Sequence, residues 1–98
     1  MLIHSVYFWL KEELTDSEKE SFYNDLVKLK EITIAEDVHI GTPSTTDRPV
    51  IERSYDYALM LVFKGIEDHD KYQVDPMHKE FLANNKDKFK KVVIYDFD

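Results

Sequence analysis

Residues 2 to 10, Leu-Ile-His-Ser-Val-Tyr-Phe-Trp-Leu, constrain this chain more than any other segment. The run is rich in β-branched and aromatic residues and contains no breaker, which predicts a β-strand. A period of two puts Leu2, His4, Val6, Phe8 and Leu10 on one face. Ile3, Ser5, Tyr7 and Trp9 fall on the other. Both faces are largely apolar, so the strand must be covered on both sides. Tyr55 to Phe63 repeats the pattern, with Tyr57, Leu59, Leu61 and Phe63 on one face and Ala58, Met60 and Val62 on the other. A fold for this chain therefore needs a central sheet with apolar cover on each face.

The remaining elements follow from local chemistry. Thr15-Asp16-Ser17-Glu18 reads as a capping box, in which a hydroxyl and a carboxylate satisfy the free amides of a helix start. Phe22, Leu26 and Leu29, with Tyr23 and Val27 beside them, give an amphipathic helix over about residues 16 to 31. A strand is expected from Asp37 to Gly41, then a loop over 44–53 between Pro43 and the second central strand. A short helix carries Tyr72 near its end, a further helix runs through Phe81 and Leu82, and Val92 to Tyr95 forms a last strand. The order is strand, helix, strand, strand, helices, strand. Helices on one face of a four-stranded antiparallel sheet leave Ile3, Tyr7, Trp9, Val93 and Tyr95 bare, a patch too apolar for a monomer surface. Pairing with the sheet of a second copy would bury it, so a homodimer through the sheet faces is expected.

Bulk properties narrow the partners. Ninety-eight residues make one domain, 1–98. A net charge of −7 argues against nucleic acid and anionic membrane as partners. The lysines between Lys86 and Lys91 are interrupted by Asp87 and Phe89 and read as a solvated helix end. Cysteine is absent, which removes disulfides, thiolate nucleophiles and cysteine-rich zinc sites. No stretch approaches the ~20 apolar residues of a membrane span. Met1 to Leu10 lacks the basic start and small-residue cleavage site of a leader, so the expectation is a cytoplasmic protein.

Chemistry concentrates in Tyr72-Gln73-Val74-Asp75-Pro76-Met77-His78-Lys79-Glu80-Phe81. Asp75 reads as an N-cap and Pro76 as the first helical residue, which makes His78 the third. The positive end of a helix dipole disfavours imidazolium and keeps such a ring neutral near pH 7. A neutral imidazole with a tyrosine nearby can move protons. It can equally be a helix-start residue bonded to a backbone group, just as His4 can be a satisfied core histidine and Tyr72 a packing aromatic. Val6, Phe8, Phe22, Tyr23, Leu26, Leu59, Phe81 and Ile94 are expected to line the apolar body of any cavity between sheet and helices. His39 and His69 read as surface residues. Asp68-His69-Asp70 offers cation ligands, but neighbours on a helix point different ways, so no metal site is expected. Phosphate-loop, HExxH and serine-elbow motifs are absent.

These features together resemble the stress-responsive dimeric α/β-barrel (Dabb) domain family. The resemblance rests on the βαββαβ order, His4 within the first strand, Gly41 after the second and Tyr55 opening the third. Tyr72 followed by Pro76 and His78 completes it. It spans essentially the whole chain. It implies an α+β, ferredoxin-like protomer whose sheet pairs with a second copy to form a barrel. The family's plant polyketide cyclases use a first-strand histidine, a tyrosine and the histidine after the proline around a cavity, which corresponds to His4, Tyr72 and His78. Many members have histidine immediately before that proline, where this chain has Asp75.

The resemblance implies cofactor-free acid–base chemistry, cyclase- or lyase-like, on a small carbonyl or polyketide-like compound. In that reading His78 is the base, Tyr72 the oxyanion donor and His4 a positioning group. A non-catalytic stress or small-molecule-binding homodimer, holding a small apolar or aromatic ligand, is the alternative. A haem-binding monooxygenase is the third reading, since the wider superfamily includes them and fold does not dictate chemistry.

Overall fold

The computed structural model describes all 98 residues. β1 (Leu2–Leu10) lies at the centre of a four-stranded antiparallel sheet with strand order β2-β3-β1-β4. β2 spans Asp37–Gly41, β3 Tyr57–Phe63 and β4 Phe89–Phe97. Between strands run α1 (Asp16–Lys28), α2 (Ile66–Gln73) and α3 (Pro76–Asn85), all on one face of the sheet. Short 3₁₀ turns at Leu29–Glu31 and Lys86–Lys88 extend α1 and α3. This is the βαββαβ topology of a ferredoxin-like α+β fold, with its second helical segment split in two.

Each helix starts where local chemistry demands it. The Thr15 hydroxyl accepts the Glu18 amide at 3.1 Å while Glu18 accepts the Thr15 amide at 3.0 Å, the reciprocal capping box. Those bonds hold the Glu18 carboxyl below its ordinary value, the Thr15 amide being the larger cause. Asp75 caps α3 by accepting the Met77 amide at 2.8 Å, with Pro76 as the first helical residue. Asp75 also ends α2, because the residue before a proline avoids helical backbone.

Register then sorts the side chains. β1 pairs with β3 through Val6–Leu59 and His4–Leu61, and with β4 through Val6–Ile94 and His4–Asp96. Leu2, Val6, Phe8 and Leu10 of β1 and Leu59, Leu61 and Phe63 of β3 are buried beneath the helices. Phe22, Leu26 and Leu29 close over them and complete one core. The other sheet face carries Tyr7, Trp9, Val93 and Tyr95, with Tyr95 64% exposed.

Two boundaries differ from those expected. Tyr55 does not open β3, which begins at Tyr57. Asp56 instead ties the loop to β1, its amide donating to the Phe8 carbonyl at 2.8 Å and its carboxylate accepting the Leu10 amide at 2.7 Å. Tyr55 turns onto the outer sheet face, edge-on to Tyr7 at 5.1 Å. The last strand is longer than Val92 to Tyr95 and reaches Phe97, because all of β1 is available to pair with it.

Candidate functional site

β4 outruns the helical layer. Val92 and Ile94 point to the helix side, opposite Phe8 and Val6, yet both remain exposed. Between them and α3 lies a cavity of about 260 Å³. Val6, Phe8 and Leu59 form its sheet wall, and Phe81, Leu82 and Phe89 line it from the C-terminal half. His4, Tyr72, Gln73 and His78 supply its polar groups.

Three of the polar groups form an aromatic chain. The His4 ring meets Tyr72 edge-on at 5.9 Å, and Tyr72 lies 4.4 Å from the His78 ring, centroid to centroid. Each comes from a different element: β1, the last turn of α2 and the first turn of α3. The Asp75-Pro76 break sets the angle between the two helices, so that Tyr72 and His78 face one another.

Hydrogen bonds fix the imidazoles. His78 Nδ1–H donates to the Gln73 carbonyl at 3.4 Å, which leaves Nε2 with its lone pair. Burial lowers the His78 pKa, with the neighbouring His4 adding to the effect, while the Gln73 bond and Asp75 oppose it. Desolvation is thus the leading cause of the lowered His78 pKa. The Tyr72 side chain is 1% exposed, and burial pushes its phenol far above the usual tyrosine range, reinforced by the Asp75 carboxylate. It is a proton-bearing donor at any physiological pH. His4, 4% exposed, holds Asp96 through Nδ1 at 2.5 Å.

The expected cavity residues divide. Val6, Phe8, Leu59, Phe81 and Ile94 line it with His4, Tyr72 and His78. Phe22, Tyr23 and Leu26 do not. Phe22 and Leu26 are fully buried in the core under α1, and Tyr23 lies on the outer side of that helix against Tyr57. Their helical spacing placed them on the right element but not over the right half of the sheet. Gln73, Leu82, Phe89 and Val92 were missed. Val92 follows from running the β4 alternation back from Ile94; Phe89 is out of that phase and faces the cavity only because the register shifts opposite Trp9 and Leu10, and Gln73 and Leu82 carry no such signal.

His69 is a second correction. It turns inward despite its acidic neighbours, its side chain only 15% exposed, and packs edge-on against His4 at 5.1 Å and Phe63 at 5.9 Å. The short α2 sits directly over the start of β1, so its inward face meets His4. His39 is exposed and paired with Asp37 at 2.8 Å.

An antiparallel β2-β3-β1-β4 sheet under one helical layer defines the ferredoxin-like class. Its solved structures include a dimeric ferredoxin-like protein of unknown function from Thermobifida fusca, with TM-score 0.79, 23% identity, and coverage of 98% of this chain and 88% of that one. A hydroxynitrile lyase from Passiflora edulis superposes with TM-score 0.78 at 18% identity, over 98% of this chain and 90% of that one. Within this class the chain belongs to the Stress responsive A/B Barrel Domain (Dabb) family, which it matches over residues 2–98. Olivetolic acid cyclase from Cannabis sativa is 27% identical over 95 residues, 96% of this chain and 92% of the cyclase.

Proposed function

We propose that this Dabb protein performs cofactor-free acid–base chemistry on a small, mostly apolar carbonyl compound held in the cavity beside His4, Tyr72 and His78. The observation that carries the reading is the pairing, in one apolar cavity, of a desolvated imidazole with a free Nε2 and a buried phenol that keeps its proton. His78 Nε2 takes a proton from the carbon next to the carbonyl. The Tyr72 hydroxyl donates to the oxygen that gains negative charge, and the proton returns from His78 to the product. General base catalysis of this kind contributes about 10² to 10⁴ in rate. His4, held by Asp96, positions Tyr72. Similarity to a cyclase, and to a lyase in fold, is in keeping with carbonyl chemistry.

The working unit proposed is a homodimer, sheet against sheet. Tyr7, Trp9, Tyr55, Val93 and Tyr95 make an aromatic surface with Lys91 Nζ 4.7 Å over the Trp9 ring. Structural neighbours described as dimeric support it. Trp9→Glu places a charge in that surface and is expected to give monomers or unfolded chains in sedimentation. A variant that sediments as a stable dimer would put the interface elsewhere.

The test of function is a thermal-shift screen with phenolic, lactone, polyketide-like and aldehyde compounds plus haemin, followed by turnover assays on each hit. A ligand at a hundred times its Kd adds about 2.7 kcal/mol of stability. The expected result is a hit that is converted, with turnover abolished in His78→Ala while the variant stays folded. A hit bound and returned unchanged, with the same affinity in His78→Ala, would favour the binding protein. A Soret band with haemin and no organic hit would favour haem.

A further inference from the structure

We propose that His4, His69 and Asp96 form a binding site for one divalent transition-metal ion of the zinc type, with His69 and Asp96 outside the cavity lining. The three come from β1, α2 and β4, and their ligand atoms all lie within 4.8 Å of one another. Two imidazole nitrogens and a carboxylate oxygen suit zinc and its borderline neighbours and leave a fourth position for water.

The hydrogen bonds around His69 orient it for this role. Its Nδ1–H donates to Asp70 Oδ1 at 3.1 Å, and its Nε2 accepts from Gln73 Nε2 at 3.3 Å. Asp96 Oδ2 stands 3.9 Å from the same Nε2, and a cation between them would take the Nε2 lone pair from the Gln73 amide. The His69 ring proton is on Nδ1, so none lies between Nε2 and the Asp96 carboxylate, and a cation placed there joins the two. Asp70 then plays the outer carboxylate that commonly backs a metal-bound histidine.

At His4 the cation takes the place of a proton. Nδ1 now donates to Asp96 Oδ1 at 2.5 Å. Ligands of a tetrahedral zinc with bonds near 2.1 Å stand about 3.4 Å apart. The His4 Nδ1–Asp96 Oδ1 contact must therefore open by about 1 Å, and the carboxylate must turn so that one oxygen faces both rings, since the 3.9 Å approach of His69 is to Oδ2. Asp96 is exposed on the edge strand and His69 sits on a two-turn helix, so the adjustment falls on the parts with room to move. Metal on Nδ1 leaves the His4 proton on Nε2, turning that nitrogen from acceptor to donor. The site thereby sets the hydrogen-bonding character of a residue that lines the cavity.

Local sequence does not reveal the site, because the neighbours of His69 are Asp68 and Asp70 whereas its partners stand 65 and 27 positions away. Metal binding by these three residues does not depend on the reaction proposed above.

The test is calorimetric titration of chelator-stripped protein with zinc chloride, comparing the parent with His69→Gln, Asp96→Asn and His39→Gln. Circular dichroism confirms that each variant is folded, and the first two alter side chains that reach solvent. The expected result is one zinc per chain, with affinity reduced at least tenfold in His69→Gln and in Asp96→Asn and unchanged in His39→Gln. A smaller loss in either of the first two, an equal loss in His39→Gln, or no binding tighter than millimolar by the parent overturns the proposal.

Discussion

The helix side of the sheet has two halves built from the same kinds of residue and filled in opposite ways. Under α1, Phe22, Leu26 and Leu29 close over the sheet with Leu61, and all four have no more than 1% of their surface exposed. Toward β4, Phe81, Leu82, Phe89, Val92 and Ile94 are as apolar but surround about 260 Å³ of open space. The difference lies in the helices. α1 is thirteen residues long and lies over β1 and β3, whereas α2 and α3 are eight and ten residues, divided at Asp75-Pro76. Two short helices meeting at a break cannot cover an edge strand of nine residues. Apolar composition thus makes a core where the covering element is continuous and a cavity where it is interrupted.

The sharpest way to break this comparison is truncation in each half. Phe22→Ala is expected to cost about 3 to 5 kcal/mol in chemical denaturation, because the closed half cannot collapse around the void. Asp75→Ala removes the α3 cap and should cost about 1 kcal/mol. It should also disturb the Tyr72–His78 approach, read as a loss of turnover larger than the loss of stability. Ile94→Ala, in the open half, should cost about 0.5 kcal/mol or less. Equal losses for Phe22→Ala and Ile94→Ala would mean that the β4 end is packed core.

The smallest effect is a pH dependence. The folded protein holds the His78 pKa below its ordinary 6.5, so in the window below 6.5 the unfolded chain binds more protons than the native one. This contribution to stability is complete above that value and is lost as the pH falls. Parent and His78→Gln should therefore diverge in melting temperature only on the acid side. The acid limb of kcat/KM is expected below pH 6.5, and an acid limb above it would contradict a desolvated base.

Much of the architecture is legible in the chain. The two-sided apolarity of Leu2–Leu10 signals a central strand, and Thr15/Glu18 and Asp75/Pro76 mark helix starts, because each signal is local and answers to backbone geometry. The site is legible in part. His78 at the third position of α3 follows from the Asp-Pro cap, and His4 shares its strand face with Val6 and Phe8. The inward turn of His69 is not legible, since its neighbours are acidic and its environment comes from β1. Nor is the contact of His4 with Asp96, 92 positions apart. Tyr55 misleads because it continues the aromatic pattern of β3 while Asp56 fastens the chain elsewhere.

The sequence alone determined the order of the elements, the two faces of β1 and β3 and the family, because periodicity and capping act over a few residues. Tertiary structure alone decided which apolar side chains become core and which become cavity wall. It also decided that His4, His69 and Asp96, from β1, α2 and β4, converge. Those outcomes depend on where helices end over a sheet and which strand lies at its edge, which are properties of packing between distant segments.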